Sequence, residues 1–353
     1  MRKINQVAKR IRALDDKLLK RTQEKLDSLT KPLGSLGRLE ELAKQIAGII
    51  GKENPVLKNK VIFTLAADHG VTEEGISAYP KEVTAQMVYN FLKGGAGINV
   101  LANHVKAKVI VVDIGVASKL KPGKKLIIKK INFGTKNMSK GPAMTRVEAI
   151  RAIETGIEIF ESEFKKGIDI IGTGEMGIGN TTAASAITAS ITQKQVEEIT
   201  GKGAGLNDQG LNNKIQVIKK SLAINNPDPS DPIDILSKVG GFEIGGLAGI
   251  ILAAASRKVP VVIDGFISGS AALIAYTIEP KTKNYMIAAH CSVEKGHKVI
   301  LEHIGLKPLL DLNLRLGEGT GAAIGISLAE AATKILTQMA TFKNAKVSER
   351  TER

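Results

Sequence analysis

Short apolar runs alternate along the chain with longer segments in which apolar residues recur at helical spacing. Four of these runs end in Asp, Gly or a glycine-rich turn, and they cover residues 61–67, 109–112, 168–171 and 259–263. Unbroken apolar runs are typical of strands buried on both faces, and helices between such strands indicate βαβ units. The pattern predicts an α/β fold in which helices flank a parallel sheet. Ligands of such sheets bind beyond the carboxyl ends of the strands, where these Asp and Gly residues lie.

The two ends of the chain carry helical patterns. Residues 1–20 place apolar side chains at helical spacing among Arg and Lys, a second helix is predicted over 35–50, and a third follows Glu318 through Leu336. Residues 343–353 are typical of a charged tail in solvent. Because the termini of a domain commonly lie close together, we expect a small helical domain beside a large α/β domain with Rossmann-like layering. The predicted boundaries are 1–58 plus 325–353 for the small domain and 59–324 for the large one.

The chain is strongly basic, with 50 Lys and Arg against 35 Asp and Glu, and a net charge of +15 over 353 residues. A nucleic-acid partner would need this charge on one face, together with aromatic side chains that stack on bases. Aromatic residues make up only 3%, Trp is absent, and the lysines are scattered. The charge therefore favours attraction of small anionic substrates, and nucleic-acid binding is the weaker alternative.

Cysteine content and the apolar segments predict a cytoplasmic protein. Cys291 is the single cysteine, so an internal disulfide is impossible and a reducing compartment fits. The N-terminal segment lacks the unbroken apolar core of a signal peptide, and Asp15 and Asp16 argue against a transit peptide. The longest apolar stretch, residues 244–255, is too short to span a bilayer, so we expect no membrane association.

Two glutamates lie inside glycine-rich turns: Glu175 in residues 172–182 (GTGEMGIGNTT) and Glu318 in residues 315–323 (RLGEGTGAA). A ligand can approach a carboxylate closely where glycines leave the backbone without Cβ atoms. Glycine-rich turns before a helix also expose backbone N–H groups, which bind phosphate. The two turns predict an enzyme that acts on a small phosphorylated ligand, with Glu175 and Glu318 as its acid–base groups.

The first turn also matches nucleotide-binding fingerprints in part. Residues 172–177 fit G-x-G-x-x-G, and the same stretch nearly fits a P-loop, but Asn180 stands where a P-loop requires lysine. A dinucleotide fold needs a second strand that ends in an acid about 20 residues further on, and Glu197 and Glu198 follow no buried strand. We keep an NAD(P)-dependent oxidoreductase as an alternative and predict that the turn over 177–181 holds an anion.

A third glycine-rich loop, residues 200–205 (TGKGAG), contains Lys202 and precedes a helix that carries Lys214. A backbone nest and an ammonium group together suit a phosphate monoester. We predict no metal site, because Asp68 and His69 have no further ligand at metal-binding spacing. No paired acids follow a buried strand either, so any ribosyl transfer would need a donor whose leaving group departs without magnesium.

Six motifs together resemble the nicotinate-nucleotide:dimethylbenzimidazole phosphoribosyltransferase family: AADHGV at 66–71, SAYPKEVT at 77–84, the turn at 172–182, VGGFE at 239–243, DGF at 264–266 and RLGEGTG at 315–321. The resemblance runs from Lys31 to about Ala332. It implies transfer of the phosphoribosyl group of nicotinate mononucleotide to dimethylbenzimidazole, giving α-ribazole phosphate and nicotinate in cobalamin lower-ligand synthesis. It also implies a parallel sheet wrapped by helices, a small helical unit from both termini, and a homodimer. We expect no cofactor.

The resemblance also implies roles for single residues by motif position. Glu318 matches the general base, and Glu175 lies on the nucleotide side. Ser77, Tyr79 and Gln86 fall near the acceptor base. The other implied substrate-binding residues of the nucleotide turn are Gly177, Gly179, Asn180 and Thr181. Those that fall at the phosphate are Gly203, Lys214 and Ser292, and Leu316 lies beside the general base.

The chemistry of this transfer fits the same residues. Nicotinate leaves a cationic pyridinium as a neutral pyridine, so no metal need neutralise a departing oxyanion. The C1′ of ribose becomes oxocarbenium-like, and a carboxylate such as Glu175 can stabilise that positive charge. The acceptor attacks through one ring nitrogen while Glu318 takes the proton from the other, and attack from the opposite face inverts β to α. A purine, another benzimidazole or a phenol is the alternative acceptor.

Overall fold

The computed structural model describes residues 1–123 and 125–348, and this part of the chain forms a six-stranded sheet whose paired strands are all parallel. Its strands are β1 (Lys60–Ala67), β2 (Lys108–Gly115), β3 (Leu126–Ile128), β4 (Ile170–Met176), β5 (Val261–Ile263) and β6 (Met286–Ala288). The predicted α/β fold with a parallel sheet between helices is confirmed. The four apolar runs correspond to β1, β2, β4 and β5, whereas β3 and β6 were not predicted.

The order of the strands creates a crevice at one point of the sheet. The order is β3-β2-β1-β4-β5-β6, so the direction in which the sheet grows reverses between β1 and β4. At such a switch point the loops that follow two neighbouring strands diverge to opposite faces and leave room for a ligand at the carboxyl ends. In the register of this pair, Leu65 is the partner of Glu175 and Ala66 is the partner of Met176. Glu175 therefore lies where a ligand is expected.

Helices cover both faces of the sheet. The α-helices are α1 (Arg2–Ala8), α2 (Asp16–Asp27), α3 (Arg38–Ile50), α4 (Val83–Lys93), α5 (Gly97–His104), α6 (Arg146–Phe164), α7 (Asn180–Thr192), α8 (Val196–Ile199), α9 (Asp208–Asn225), α10 (Pro232–Val239), α11 (Phe242–Ser256), α12 (Phe266–Ile278), α13 (Lys295–Ile304), α14 (Thr320–Gln338) and α15 (Phe342–Ala345). Two 3₁₀ helices cover Gly70–Glu74 and Pro280–Tyr285.

Alternate side chains of β1 divide the core into two layers, because successive residues of a strand point to opposite faces. Phe63 and Leu65 belong to the layer that contains α6 and α11, and Ile62 and Ala66 belong to the layer that contains α3 and α14. The apolar helix α11 is buried along nearly its whole length against α6 and the sheet. Within residues 1–123 and 125–348, no helix is long and apolar enough to cross a membrane.

Helices from the two ends of the chain contact each other. Helix α3 packs on α14, and the N–H of Thr30 donates to the carbonyl oxygen of Ala340 at 3.0 Å. Helix α1 instead packs on α11 and α6, in the other layer of the core. The division into a small domain of 1–58 plus 325–353 and a large domain of 59–324 stays a prediction, and its last five residues lie outside the described part.

The helical pattern over residues 1–20 is interrupted in the structure. Helix α1 ends at Ala8, and α2 begins after Asp15, whose carboxylate accepts the N–H groups of Lys17 and Leu18. An aspartate at this N-cap position stabilises the start of a new helix and so competes with continuation of the first. At the other end, residues 343–348 are exposed as predicted, although α15 forms one helical turn there. The rest of the predicted tail lies outside the described residues.

Candidate active site

The predicted turn around Glu175 is in fact the end of β4, which runs to Met176, and this strand end lies against the turn that carries Glu318 at the switch point of the sheet. A Cβ on Gly174 would overlap the carbonyl oxygen of Glu318 and lie 2.8 Å from the nitrogen of Gly319. A Cβ on Gly317 would overlap Oε1 of Glu175, and the φ of Gly317 is +81°. These glycines allow the strand end and the turn to approach backbone to backbone, and both carboxylates therefore lie in one place.

Glu318 is buried, and its backbone is in a conformation that is uncommon for a residue with a side chain. Its φ is +63°, in the left-handed region. The Thr64 hydroxyl donates to its carbonyl oxygen at 3.0 Å, and its Oε2 accepts the N–H of Ile98 at 3.1 Å. Its other oxygen, Oε1, accepts no hydrogen bond from the described residues. Burial raises the pKa of the Glu318 carboxyl above its ordinary value, although the Ile98 hydrogen bond acts in the opposite direction.

Glu175 is buried to the same extent as Glu318. Its Oε2 accepts a hydrogen bond from Nδ2 of Asn180. Burial raises the pKa of the Glu175 carboxyl well above its ordinary value, and so do the charges of three neighbouring acids, Asp264, Glu243 and Glu318. The Asn180 hydrogen bond lowers this pKa but does not outweigh burial. A positive charge beside Glu175 would lower the pKa again, because it favours the ionised form.

Two buried histidine–acid pairs adjoin the glutamates, and neither was predicted from the sequence. His69 Nε2 lies 2.7 Å from Oε1 of Glu243, and both side chains are buried. Burial lowers the pKa of His69, but the Glu243 carboxylate outweighs burial, so the net pKa lies above the ordinary value. His290 Nε2 lies 3.9 Å from Oδ1 of Asp264, whose pKa burial raises to about 6. His69, Asp264 and His290 each follow the end of a strand, which is the signal that could have grouped them.

A pocket opens beside Glu175 at the start of α7. Helix α7 begins at Asn180 after Gly179, which has a φ of +92°, and no side chain caps this end. The first N–H groups of a helix and its dipole favour a negative charge at such an end, which supports the predicted anion site over 177–181. The predicted site residues that line the pocket are Ser77, Glu175, Gly177, Gly179, Asn180, Thr181, Gly203, Lys214, Ser292 and Leu316.

A buried lysine lies in the same pocket. Lys214 is fully buried, and its Nζ donates to Oγ1 of Thr181 at 2.8 Å and to the carbonyl oxygen of Gly201 at 3.4 Å. A Cβ on Gly203 would lie 3.3 Å from this Nζ, so the glycine-rich loop passes directly beside the ammonium group. Burial lowers the pKa of Lys214 to about 8, although the charge of Glu294 acts in the opposite direction. A cation beside a glycine loop and a helix N-terminus supports phosphate binding.

Ser292 is held in the pocket by a buried histidine, His297. The N–H of Ser292 donates to Nδ1 of His297 at 2.9 Å, and burial lowers the pKa of His297 to about 3, so this ring is neutral at pH 7. Glu294 also lines the pocket, and its Oε1 accepts the N–H of Gly203 at 2.9 Å. Glu294 was not predicted, because nothing in the sequence indicates that its carboxylate meets a loop 91 residues away.

Three predicted site residues do not line this pocket. Tyr79 is exposed in a neighbouring groove that shares Ser77 with the pocket, and Gln86 is exposed on α4. Glu318 follows the pocket residue Leu316 by two positions. Within the part of the chain that the structure describes, no three His, Cys, Asp or Glu side chains are grouped as metal ligands. The roles of the site residues and the metal-free reaction stay predictions.

The position and chemistry of this pocket define a broad class of enzyme. Ligand sites at the switch point of a parallel sheet commonly bind phosphorylated small molecules through a glycine-rich helix N-terminus. The neighbouring buried carboxyls have raised pKa values, as acid–base groups in enzymes often do. The class is therefore an enzyme that acts on a phosphorylated small molecule. Comparison with known proteins defines it further, since the phosphoribosyltransferase family model matches residues 11–347.

Individual relatives carry a more specific name. The chain is 56% identical, over 98% of each chain, to the nicotinate-nucleotide–dimethylbenzimidazole phosphoribosyltransferase of Desulforudis audaxviator. It is 57% identical, over 96% of each chain, to the enzyme of that name from Geobacter metallireducens. The crystal structure of the enzyme of that name from Thermus thermophilus aligns with a TM-score of 0.91 at 42% identity, over 96% of this chain and 100% of that one. The chain belongs to the nicotinate-nucleotide–dimethylbenzimidazole phosphoribosyltransferase family, and the resemblance found in the motifs is confirmed.

Proposed function

We propose that this protein transfers the phosphoribosyl group of nicotinate mononucleotide to dimethylbenzimidazole, giving α-ribazole phosphate and nicotinate. The reaction is a step in building the lower ligand of cobalamin. The observation that carries this function is the 56% identity, over 98% of both chains, to a relative that bears this enzyme name. The pocket at the switch point supports it, because it offers an anion site and buried carboxyls to one ligand.

The donor phosphate binds between the start of α7 and Lys214. Backbone N–H groups at the helix end and the ammonium group of Lys214 supply donors to a phosphate monoester. Gly203 and Ser292, which line the same pocket, complete the phosphate site. In this proposal the phosphate lies on the α7 side of the pocket and the ribose lies toward Glu175.

Bond cleavage develops positive charge on the ribose beside Glu175. The bond between C1′ and the pyridinium nitrogen breaks, and its electron pair stays on nicotinate, which leaves as a neutral pyridine. The pyridinium of the bound donor is a cation, so it lowers the raised pKa of the Glu175 carboxyl and favours the carboxylate. The carboxylate then stabilises the oxocarbenium-like C1′, and Asn180 holds its Oε2 in position.

Glu318 acts as the general base toward the acceptor. One ring nitrogen of dimethylbenzimidazole forms the new bond to C1′, on the face opposite the leaving nicotinate. The other ring nitrogen gives its proton to Oε1 of Glu318, which the Ile98 hydrogen bond to Oε2 leaves available. The proton then passes to water. Inversion converts the β-linked donor into the α-linked product.

Ser77, Tyr79 and Gln86 are proposed to contact the acceptor base, and Leu316 covers it. Ser77 supports this placement because it lines both the pocket and the neighbouring groove in which Tyr79 is exposed. Exposed and partly exposed walls of this kind can change with few consequences for the core. A purine, another benzimidazole or a phenol is therefore the alternative acceptor for the same transfer.

We extend the proposal to assembly and location. The family resemblance supports a homodimer in the cytoplasm, and the low aromatic content supports an enzyme that uses no nucleic acid. The transfer needs no metal or other cofactor, because the leaving group departs as a neutral pyridine. Size-exclusion chromatography with light scattering tests the assembly: a mass twice that of the 353-residue chain is expected, and a monomer would contradict the dimer.

The function is tested by supplying both substrates to the purified protein in the presence of a chelator. Mass spectrometry should find α-ribazole phosphate and nicotinate. Nicotinate together with a different ribotide, when purines or phenols are supplied, would keep the transfer and change the acceptor. If neither product forms with any azole, purine or phenol, the proposed function is wrong.

A further inference from the structure

The peptide bond that follows Glu318 is held at both of its polar groups. Its carbonyl oxygen, which belongs to Glu318, accepts the Thr64 hydroxyl at 3.0 Å. Its N–H, which belongs to Gly319, donates to Oδ2 of Asp264 at 3.1 Å. Thr64 lies in β1 and Asp264 follows β5, so two different strands fix one peptide plane. The orientation of that plane sets ψ of Glu318 and hence the direction in which its side chain leaves the backbone.

We propose that Asp264 is a positioning residue that holds the general base Glu318 in its left-handed turn. The inference rests on the proposed function, because it assumes that Glu318 takes the proton of the acceptor. Both carboxylate oxygens of Asp264 accept backbone N–H groups, from Gly319 and Ala322, so Asp264 acts through the turn that carries Glu318. Its side chain is 1% exposed, which keeps water from competing for the two backbone N–H groups that it accepts.

The second oxygen of Asp264 attaches the same turn to a helix. Oδ1 accepts the N–H of Ala322 at 3.0 Å, in the first turn of α14. A carboxylate at a helix N-terminus interacts favourably with the helix dipole, so the charged form of Asp264 is the one that holds the turn. A Cβ on Gly321 would lie 2.8 Å from Oδ1 and overlap the ring of His290, so the helix start is packed tightly on this pair.

The left-handed backbone of Glu318 needs such support. A residue with a side chain adopts this conformation at an energetic cost and keeps it only where the surroundings determine it. Gly317 and Gly319, at φ +81° and +99°, flank it without steric cost. If the Asp264 contact were lost, the turn could relax and Oε1 would no longer point consistently at the acceptor nitrogen.

Asp264 also influences the proton affinity of Glu318. The negative charge of Asp264 adds to burial in raising the pKa of the Glu318 carboxyl, while the Ile98 N–H lowers it. The groups that face Asp264 are His290, whose charge lowers the pKa of Asp264, and the N–H groups of the α14 start. Glu175 also faces Asp264, because the charges of both Asp264 and Glu318 raise its pKa, so loss of the Asp264 charge lowers the pKa of both glutamates. A residue that only supported the fold at a distant position would leave the pKa of Glu318 unchanged.

The variant Asp264→Asn tests this inference, because asparagine has the same shape without the charge. Misplacement of a catalytic group by about 1 Å can cost about 10²-fold, so we expect kcat to fall by about that factor. The KM for nicotinate mononucleotide should change by less than about 2-fold, because the phosphate site is untouched. The acid limb of the kcat–pH profile should move to lower pH, since a negative charge that raised the pKa of Glu318 is gone.

The matched control is Asp15→Asn, in which another helix-capping aspartate loses its charge. Asp15 accepts the N–H groups of Lys17 and Leu18 at the start of α2, so its loss tests the cost of capping alone. It should leave kcat and the pH profile unchanged. An Asp264→Asn enzyme with the kcat and acid limb of wild type would overturn the inference, and so would a loss confined to donor KM.

A second variant applies if Asp264→Asn does not fold. Thr64→Val keeps the shape of a buried residue and removes only the hydroxyl that holds the Glu318 carbonyl oxygen. It should lower kcat without moving the acid limb, because no charge is lost. A Thr64→Val enzyme with normal kcat would show that holding this peptide does not matter. If the wild-type enzyme itself forms no α-ribazole phosphate, the proposed function is wrong. If wild type is active and only the variants fail to behave as expected, the inference about Asp264 is wrong and the proposed function stands.

Discussion

Glu175 and Glu318 have the same side chain, but their surroundings give them different chemistry. Burial and the charges of three neighbouring acids raise the pKa of Glu175 well above the ordinary value, although the Asn180 amide donates to it and lowers the pKa, and a nearby cation would lower it further. Glu318 has a raised pKa as well, with one carboxylate oxygen engaged by the Ile98 N–H. Glu175 therefore suits stabilisation of a cationic ribose, and Glu318 suits removal of a proton.

Replacement of the general base is the first prediction at this scale. Glu318→Gln keeps the size of the side chain but cannot take a proton, so kcat should fall by about 10²–10⁴-fold. Binding of nicotinate mononucleotide, measured by calorimetry, should stay close to that of wild type, because the phosphate site is unchanged. The control is Glu302→Gln, an exposed glutamate on α13. Normal turnover by Glu318→Gln would assign the proton to another group.

The buried lysine leads to a prediction about pH. Lys214 must carry its charge to bind phosphate, and burial lowers its pKa to about 8. The value of kcat/KM for the donor reports ionisations of the free enzyme, so it should decline as the pH rises through about 8. In Lys214→Met this decline should disappear. A profile that stays flat above pH 8 in wild type would contradict the assignment.

The neighbouring Lys202 provides the comparison. Its side chain is half exposed and its ammonium group pairs with Asp208 at 2.7 Å, so water and this carboxylate already accept its hydrogen bonds. A hydrogen bond to a charged group contributes about 1.5–3 kcal/mol, so Lys214→Met should lower donor kcat/KM by roughly 10- to 100-fold. Lys202→Met should lower it much less. Equal losses in the two variants would mean that burial does not decide which lysine binds the phosphate.

At the scale of elements, the site depends on the close approach of the end of β4 to the turn before α14. Gly174 lies in the last part of β4 and contacts the backbone of Glu318 and Gly319. Since these contacts are with backbone atoms, a side chain at Gly174 could be accommodated only if one turn moved. The geometry of both glutamates thus depends on a residue that carries no functional group.

Gly174→Ala is the prediction at this scale. The added methyl group would lie 2.6 Å from the carbonyl carbon of Glu318, so one turn must move, and overpacking of this kind costs about 1–3 kcal/mol of folding stability. Because the movement also displaces the general base Glu318, kcat should fall even under conditions in which the variant is still fully folded. Gly123→Ala is the control, since a Cβ there meets no atom within 4 Å among the described residues beyond its chain neighbours. Full activity in Gly174→Ala would show that the spacing of the strand end and the turn is not critical.

The sequence predicts strands within long apolar runs better than short strands or interruptions between helices. The runs of apolar residues in β1, β2, β4 and β5 are visible because burial on both faces excludes polar residues. Strands β3, β5 and β6 have three residues each, but β5 lies within a longer apolar run that ends at Asp264 and Gly265, and this run made it recognisable. The interruption between α1 and α2 was missed because Ile11 and Leu14 continue the helical spacing, whereas the Asp15 N-cap decides where the new helix begins.

At the scale of the whole molecule, the site is assembled from strand ends that are far apart in the chain. Glycine-rich turns and their glutamates could be found by inspection, since glycine spacing is a local property. His69, Asp264 and His290 follow strand ends and could have been grouped on that basis, but the pairing of His69 with Glu243 could not be found, because the two residues are separated by 174 positions. The same reason explains why Glu294 at the phosphate loop was missed.

The fold also decides against the alternative of a dinucleotide-dependent oxidoreductase. Its strand order is shared with dinucleotide-binding folds, so order alone does not discriminate. The acid that should end a second strand is absent at the expected spacing, because Glu197 and Glu198 lie in the short helix α8. The family match over residues 11–347 agrees with phosphoribosyl transfer instead.

The most direct test of this transfer is whether nicotinate release depends on the acceptor. Wild-type enzyme is incubated with nicotinate mononucleotide, with and without dimethylbenzimidazole, and nicotinate and α-ribazole phosphate are quantified together by liquid chromatography. We predict that both products appear in equal amounts and only when the acceptor is present, because Glu318 must deprotonate it. Nicotinate release at the same rate without acceptor, accompanied by free ribose phosphate, would identify a hydrolase and contradict the transfer.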